Sequence, residues 1–276
     1  MTSGDIHAPL VLNNGVTIPR MALGVFRSGA GAGTRDAVRA ALSAGYRHID
    51  TAQIYRNEAE VGDAVRASGI PRSEIFVTTK LWNEDHGYDQ TLRACTRSLA
   101  ALKLDHIDLY LVHWPVEGKR RETWRAMETL LGDGRCRAIG VSNFMPRHLD
   151  ELLGHAVTPP AVNQFEIHPF LQQREVVERC RAANVAVAAY SPLTKGLHLS
   201  DPKLGEISKR VGRTPAQILL RWSLQKGLVV VPKSTSPARI AENLAAFSFE
   251  LDAPTMEALD ALECGRRTAW DPSKVP

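Results

Sequence analysis

Eight short apolar segments recur along the chain, and helix-type patterns separate them. Several are rich in β-branched residues and almost continuously apolar, which is typical of strands covered on both faces. Strands that alternate with helices in this way favour parallel pairing and closure into a barrel. The predicted strands are MALGV (21–25), YRHI (46–49), IFVTT (75–79), IDLYLV (107–112), CRAIGV (136–141), AVNQFEI (161–167), VAVAAY (185–190) and LVVV (228–231).

Three further segments add to this repeating pattern. Before the first strand, LVLNNGVTIP has Asn-Gly between alternating residues, which predicts a β-hairpin. In a closed barrel, such a hairpin can only plug the bottom. DPKLGEISKRVG, before the eighth strand, and APTMEALDALECG, after the eighth unit, each predict an extra helix towards the C-terminus. We therefore predict an α/β chain that folds, over 1–276, as a single (β/α)8 TIM-barrel domain with this hairpin and these helices.

The composition fits a globular protein and argues against several other classes. Hydrophobic residues make up 44% and charged residues 23% of the 276, which suffices for a packed core. The net charge of +4 comes from interleaved charges, whereas nucleic-acid binding requires a basic patch or stripe. The N-terminus lacks the pattern of a signal peptide, and no apolar stretch approaches the ~20 residues of a membrane helix. We expect a cytoplasmic monomer with neither nucleic-acid nor membrane partners.

A glycine cluster after the first strand imitates a dinucleotide-binding fingerprint. SGAGAGT (28–34) precedes a helix, and Asp50 lies about 20 residues further on, at the end of the second strand. The spacing is G-x-G-x-G, however, and the glycines begin several residues after the strand, so the tight strand–turn–helix is lost. We therefore interpret the cluster as a flexible loop, which would suit a mobile cover over a pocket.

Polar side chains stand at the carboxyl ends of the predicted strands, where α/β barrels place their chemistry. Asp50 ends the second strand and Tyr55 follows it, while Lys80 ends the third and His113 the fourth. Each alone has an ordinary structural explanation, such as a cap, a solvated lysine or a packed ring. Together they predict one site, because ring closure brings successive strand ends to one mouth. Later strands contribute Ser142, Asn143, Gln164, Tyr190, Lys233 and Ser234.

The first four residues suit the reduction of a carbonyl group. A tyrosine has a reference pKa of about 10, and a neighbouring Lys80 ammonium would lower it. At ~4 Å and an effective dielectric of ~20, one charge is worth about 4 kcal/mol, or roughly three pKa units before desolvation opposes it. Asp50 would keep Lys80 charged, His113 would donate to the oxygen that becomes negative, and Tyr55 would give the proton. The hydride must come from a cofactor, because no side chain supplies one.

The chain resembles the aldo-keto reductase superfamily over nearly its whole length. The matching segments are GYRHIDTAQIYRNEAEVG, TTKLWN, DLYLVHWP, IGVSNF, AVNQFEIHP, YSPL and VPKSTSPARIAENL. The bacterial 2,5-diketo-D-gluconate reductase-like branch is the most similar. The resemblance implies that Asp50, Tyr55, Lys80 and His113 form the catalytic tetrad, with Tyr55 as the general acid and NADPH as the cofactor.

The same resemblance implies a cofactor lying extended across the barrel mouth. Tyr190 would stack on the nicotinamide, and Lys233 and Arg239 would grip the 2′-phosphate. These two cations flank a predicted helix start at Ser236, which is a natural phosphate site, although solvated surface charges would give the same pattern. The implied cofactor-binding residues are Gly24, Val25, Asp50, Ser142, Asn143, Gln164, Tyr190, Ser191, Leu193, Lys233, Ser234, Arg239, Glu242 and Asn243.

The substrate pocket is where this chain departs from the family pattern. Phe26 stands where many members carry tryptophan, and SPLTKG replaces SPLG. We predict that Phe26, Tyr55, Trp82, His113, Trp114 and Trp270 bind the substrate, with core packing as the competing interpretation of the aromatic residues. The expected substrates are aldehydes and ketones, including small α-keto, dicarbonyl or sugar-derived carbonyls such as 2,5-diketo-D-gluconate or methylglyoxal.

Two other classes of function match parts of the sequence. A non-catalytic regulatory protein that senses NADPH would bind the same cofactor, but it need not keep Tyr55 and His113 together. A metal-dependent barrel hydrolase is suggested by the nine histidines. No His-x-His occurs, and the four cysteines lack the spacing of a zinc site or a Cys-x-x-Cys redox pair. We therefore predict reduced thiols and no metal site.

Overall fold

The computed structural model describes residues 8–29 and 31–276. Most of the segment on which the signal-peptide prediction rests, residues 1–7, lies outside the described residues. The strands are β1 (Leu10–Val11), β2 (Thr17–Ile18), β3 (Leu23–Gly24), β4 (His48–Asp50), β5 (Phe76–Leu81), β6 (Ile107–Val112), β7 (Cys136–Ser142), β8 (Val162–Glu166), β9 (Ala186–Tyr190) and β10 (Val229–Val231). The helices are α1 (Ala32–Ala44), α2 (Glu58–Ala67), α3 (Tyr88–Leu102), α4 (Arg120–Gly132), α5 (Pro146–Leu153), α6 (Arg174–Ala182), α7 (Pro202–Val211), α8 (Pro215–Gln225), α9 (Pro237–Leu244) and α10 (Ala253–Asp260).

Strands β3 to β10 form one parallel sheet in sequence order. Parallel bridges Met21–Val230 and Gly24–Lys233 join its first and last strands, so the sheet closes into a barrel. The surrounding helices turn apolar faces inwards, as Val38, Ala41 and Leu42 of α1 show. The predicted (β/α)8 barrel is confirmed, and each predicted strand lies within two residues of its observed bounds.

The antiparallel hairpin β1–β2 plugs the end of the barrel opposite the strands' carboxyl ends. Leu12 and Ile18 are buried there against residues from the early parts of the barrel strands, including Phe76 and Val229. Side-chain amides of the Asn-Gly turn region extend the contact, since Asn13 Nδ2 donates to the Pro160 carbonyl at 3.0 Å. The hairpin is therefore held by the barrel rather than by its own two short strands.

Capping residues fix where the later helices begin. Thr214 and Gln217 form a reciprocal capping box at the start of α8, and the Ser236 hydroxyl accepts from the Arg239 backbone amide at the start of α9. Helices α7 and α10 are the two extra helices that the sequence predicted towards the C-terminus. No helix in the part of the chain that the structure describes is long and apolar enough to cross a membrane.

The glycine cluster is only partly a loop. Helix α1 begins at Ala32, inside the predicted loop 28–34, while Ala30 lies outside the described residues. Gly33 sits so close to the Ser28 carbonyl that a Cβ would come within 2.6 Å of its oxygen. Seven residues separate the end of β3 from α1, so the tight turn of a dinucleotide fingerprint is absent here.

Candidate active site

A buried ion pair forms the floor of the barrel mouth. Asp50, the last residue of β4, accepts from Lys80 Nζ through Oδ1 at 2.6 Å and from Gln164 Nε2 through Oδ2 at 2.8 Å. Lys80 also donates to the Thr51 carbonyl at 2.9 Å. Both charged side chains are almost fully buried. Lys80 lies one residue before the end of β5. Because its side chain is buried, the ammonium lies in the barrel interior rather than in solvent.

Tyr55 lies directly above this pair, in the short 3₁₀ helix Gln53–Tyr55. The Lys80 ammonium is 5.3 Å from the centre of the Tyr55 ring. The ring packs against Phe26 on one side, with centroids 5.0 Å apart, and lies edge-on to His113 at 6.0 Å. Arg56, with a left-handed φ of 55°, ends the turn that presents the phenol to the mouth.

The predicted lowering of the Tyr55 pKa by Lys80 is wrong. Burial raises the pKa of Tyr55 well above its usual value, and the negative charge of Asp50 raises it further. The reason is that Asp50 and Lys80 form an ion pair, so little net positive charge acts on the phenol. Burial also lowers the pKa of Lys80, which Asp50 opposes. Tyr55 therefore carries its proton at neutral pH.

His113 follows β6 and has one ring nitrogen available to a ligand. Its Nδ1 is buried without a hydrogen-bond partner among the described residues, so Nε2 is the nitrogen that faces the cavity. Burial lowers the pKa of His113 well below its usual value, and the Lys80 charge adds to this effect. The imidazole is therefore neutral and can donate one hydrogen bond. Trp82 packs edge-on against it at 5.3 Å.

A second network of hydrogen bonds connects the carboxyl ends of strands β6 to β9. Asn143 has a left-handed φ of 63°, and its Nδ2 donates to the His113 carbonyl at 3.0 Å. Tyr190 donates from its hydroxyl to Asn143 Oδ1 at 2.8 Å. Ser142 donates from Oγ to the Gln164 carbonyl at 2.7 Å. These bonds link β6 to β9, so the amide and hydroxyl groups are held in place around the mouth.

Above these groups lies a cavity of about 910 Å³. Of the predicted site residues, seventeen line it: Gly24, Phe26, Asp50, Tyr55, His113, Trp114, Asn143, Gln164, Tyr190, Ser191, Leu193, Lys233, Ser234, Arg239, Glu242, Asn243 and Trp270. Four do not: Val25 lies in the core, Lys80 and Ser142 lie beneath the lining, and Trp82 lies behind His113.

One part of the cavity wall suits an anionic ligand. Lys233 and Arg239 are exposed there, on either side of the α9 start that Ser236 caps. Two cations beside a helix start attract phosphate groups. The cavity thus has Tyr55 and a pair of cations in one lining, and these residues fit a phosphorylated cofactor.

Several functional residues escaped the sequence prediction. Arg27 and Lys195 line the cavity, as do Thr268 and Ala269 of the C-terminal segment. Glu166, fully buried, accepts from the Thr268 and Ala269 amides at 2.8 and 3.0 Å. The only sequence signal for Glu166 was its place at the end of a predicted strand, next to Gln164. The C-terminal segment has no periodicity, so nothing in the sequence brought it to the mouth.

The barrel and its mouth place the protein among oxidoreductases that act on carbonyl groups. Comparison with known proteins gives the same class, because the model of the aldo/keto reductase family matches residues 20–263. The chain belongs to the aldo/keto reductase family.

Among the described residues, no three His, Cys, Asp or Glu side chains converge as metal ligands.

Named relatives match along almost their full length. A 9,11-endoperoxide prostaglandin H2 reductase of Trypanosoma cruzi is 48% identical over 95% of this chain and 94% of that protein. A glyoxal reductase of Bacillus subtilis is 46% identical over 96% of each chain. The crystal structure of a Bombyx mori aldo-keto reductase in complex with NADP superposes with a TM-score of 0.90 at 36% identity, covering 97% of both chains.

Proposed function

We propose that this protein reduces aldehydes and ketones to alcohols with NADPH, and that Tyr55 is the general acid. The observation that carries the proposal is the buried Lys80–Asp50 pair beneath Tyr55, with His113 beside it, at the floor of one cavity. That floor offers a proton and a hydrogen-bond donor to a carbonyl oxygen.

Each residue has a distinct task in this proposal. A bound nicotinamide supplies the hydride, which no side chain can. The Tyr55 hydroxyl transfers its proton to the oxygen of the substrate, and His113 Nε2–H donates a hydrogen bond that orients the same oxygen. The Lys80 ammonium, 5.3 Å from the centre of the Tyr55 ring, faces the phenolate that Tyr55 becomes, although its ion pair with Asp50 offsets much of its charge. Asp50 keeps the ammonium of Lys80 charged and in place.

Several observations support NADPH as the cofactor. Lys233 and Arg239 line the cavity, and such a pair of cations suits the 2′-phosphate that distinguishes NADPH from NADH. The Bombyx mori relative was solved in complex with NADP. Asn143, Gln164 and Tyr190, which we predict to hold the nicotinamide, line the same cavity.

The substrates that we propose are small α-keto, dicarbonyl or sugar-derived carbonyls. Aromatic side chains line the cavity: Phe26 packs against Tyr55, and Trp114 lies beside Trp270. The glyoxal reductase of Bacillus subtilis makes methylglyoxal a suitable first substrate. Membership of the 2,5-diketo-D-gluconate reductase-like branch stays a prediction, as do a single domain over 1–276, a monomeric state and a cytoplasmic location.

The test is turnover with NADPH, followed by absorbance at 340 nm with methylglyoxal and 4-nitrobenzaldehyde. Tyr55→Phe should lower kcat by about 10²–10⁴-fold, the usual contribution of a general acid. Tyr88→Phe, which removes a hydroxyl bonded to Thr129 on an outer helix, is the matched control and should keep wild-type turnover. Absence of turnover over a broad carbonyl panel would refute the reductase, and full activity of Tyr55→Phe would refute its role.

A further inference from the structure

The C-terminal segment, residues 265–276 (the tail), forms part of the cavity wall. Glu166 fixes it at Thr268 and Ala269, and both residues line the cavity together with Trp270. Trp270 is 63% exposed, yet its ring lies 6.2 Å from that of Trp114 across the mouth. An exposed side chain has few contacts of its own, so its position depends on the backbone that carries it.

Three cationic or imidazole side chains, which we name the tail clamp, hold the end of the tail from outside the cavity. Arg147, on α5, donates from Nη2 to the Ser273 carbonyl at 2.8 Å and also bonds the Val275 carbonyl. Its neighbour His148 reaches the Val275 carbonyl at 3.0 Å. Arg120, on α4, donates to the Pro276 oxygen at 3.0 Å.

His148 is oriented so that it can only donate to the tail. The Met145 backbone amide donates to His148 Nδ1 at 3.1 Å, at the first turn of α5. A neutral imidazole whose Nδ1 accepts must carry its proton on Nε2, which is the atom that meets the Val275 carbonyl. Burial lowers the pKa of His148, so the neutral form prevails at physiological pH. The ring is nearly fully buried, and its contacts with the Met145 amide and with the oxygens of Val275 and Pro276 fix it between α5 and the tail.

Arg120 ties the tail to the segment that carries Trp114. Its Nη1 donates both to the Pro115 carbonyl at 2.9 Å and to the Pro276 oxygen at 3.0 Å. Glu151 holds the same guanidinium at 2.6 Å. One arginine therefore links the two chain segments that carry Trp114 and Trp270.

We propose that Arg147, His148 and Arg120 are substrate-positioning residues, although none of them lines the cavity. They fix residues 273–276, and Glu166 fixes 268–269, so Trp270 is held between two anchors as one wall of the substrate end. The clamp thereby sets the distance between Trp270 and Trp114. This proposal rests on the proposed reductase function only for its kinetic consequence, since the anchoring itself is independent of turnover.

The kinetic consequence depends on substrate size. An aromatic aldehyde is large enough to contact both tryptophan rings, whereas methylglyoxal is too small to span them. Releasing the tail should raise KM for 4-nitrobenzaldehyde by about tenfold, which corresponds to the loss of about one good contact. The kcat values should stay within about twofold, because Tyr55, Lys80 and His113 are untouched. KM for methylglyoxal should change little.

Amide hydrogen exchange of tail peptides tests the anchoring directly in the full-length protein without cofactor. Arg147→Met keeps the length of the side chain and removes its donors, so exchange over 270–276, beyond the Glu166 anchor, should accelerate by about tenfold or more. His148→Leu should do the same, whereas His148→Gln retains an acceptor and a donor and should restore protection. Arg121→Met, an exposed arginine on α4, is the matched control and should match the wild type.

The outcomes separate the two levels of the proposal. Unchanged exchange in both Arg147→Met and His148→Leu would refute the clamp. Faster exchange with an unchanged ratio of KM values for the two substrates would show an anchor without a positioning role, and would also overturn the proposal. If the wild type turns over no carbonyl at all, the reductase function fails, while the exchange result still decides whether the clamp exists.

Discussion

At the scale of single residues, the site depends on two charges that stabilise each other away from water. Lys80 and Asp50 are almost fully buried, and burial alone would neutralise either of them. Their 2.6 Å contact, with Gln164 on the second carboxylate oxygen, satisfies both groups. Such a pair contributes little net stability, but leaving one partner alone is costly. Catalysis and stability can therefore be separated at this pair.

Removal of one partner should destabilise the fold, and removal of both should not. We expect Lys80→Met to lower the free energy of unfolding by about 3–5 kcal/mol, because Asp50 is then buried without its cation. Adding Asp50→Asn in the same chain should recover most of this loss, since the amide can still accept from Gln164. Urea unfolding measures both effects. Turnover should stay low in the single and the double variant, and a double variant with wild-type turnover would contradict the role of Lys80.

A histidine on β4 makes the fold sensitive to acid. His48 bonds Thr78 Oγ1 at 2.9 Å, and burial lowers its pKa to about 4. The unfolded chain binds a proton to this residue near its reference pKa of about 6.5, whereas the folded chain does so only near 4. The unfolded state thus binds more protons between these values, and stability falls as the pH drops through this window.

We expect His48 to account for about 3 kcal/mol of lost stability between pH 6.5 and 4. His48→Gln should remove that part of the pH dependence, whatever its effect on stability at pH 7. Chemical unfolding at a series of pH values measures the slope for both proteins. Parallel slopes for wild type and variant across this window would contradict the assignment.

At the scale of elements, the strands carry the site and the helix starts complete it. The strands were predictable because buried parallel strands are continuously apolar, so IDLYLV and CRAIGV mark β6 and β7 to within one residue. Helix α9 was predictable from Ser236–Pro237, and its start lines the cavity between Lys233 and Arg239. The start of α1 inside the glycine cluster was not predictable, because tertiary contacts overrode the low helix propensity of glycine.

The start of α9 should set the cofactor preference. Arg239→Ala should weaken NADPH binding by about tenfold or more, as a charge-assisted contact to phosphate is lost, and should leave NADH nearly unchanged. Quenching of protein fluorescence on titration with each cofactor measures both affinities. Arg93→Ala, an exposed arginine on α3, serves as the control. Equal losses for NADPH and NADH would remove Arg239 from the 2′-phosphate site.

At the scale of the whole molecule, one end of the barrel has a structural role and the other end carries the candidate active site. The hairpin seals one end with Leu12 and Ile18, and the mouth at the other end carries the polar groups and the cavity. We expect substitutions in the hairpin to leave the activity unchanged, because the packed interior of the barrel separates the hairpin from the Lys80–Asp50 pair.

Ile18→Ala should therefore lower stability without altering the site. Ile18 is fully buried, so we expect a loss of about 2–5 kcal/mol in the free energy of unfolding. KM and kcat per folded molecule should stay at wild-type values, as measured at a temperature well below the unfolding transition. A raised KM in fully folded Ile18→Ala would show that the two ends are coupled.

The sequence by itself determined the barrel, the plug and the order of polar residues at the strand ends, because continuous apolar runs, the alternation in the hairpin, helical periodicity and caps are all local. It also brought Asp50, Tyr55, Lys80 and His113 to one mouth, since ring closure leaves no other place for them. Only the tertiary structure decided the direction of the Tyr55 pKa shift, which follows from burial and from the ion pair below the ring. Contacts between distant parts of the chain, such as Arg147 with Ser273, 126 residues apart, leave no periodic trace, so the wall formed by the tail emerged from the fold alone.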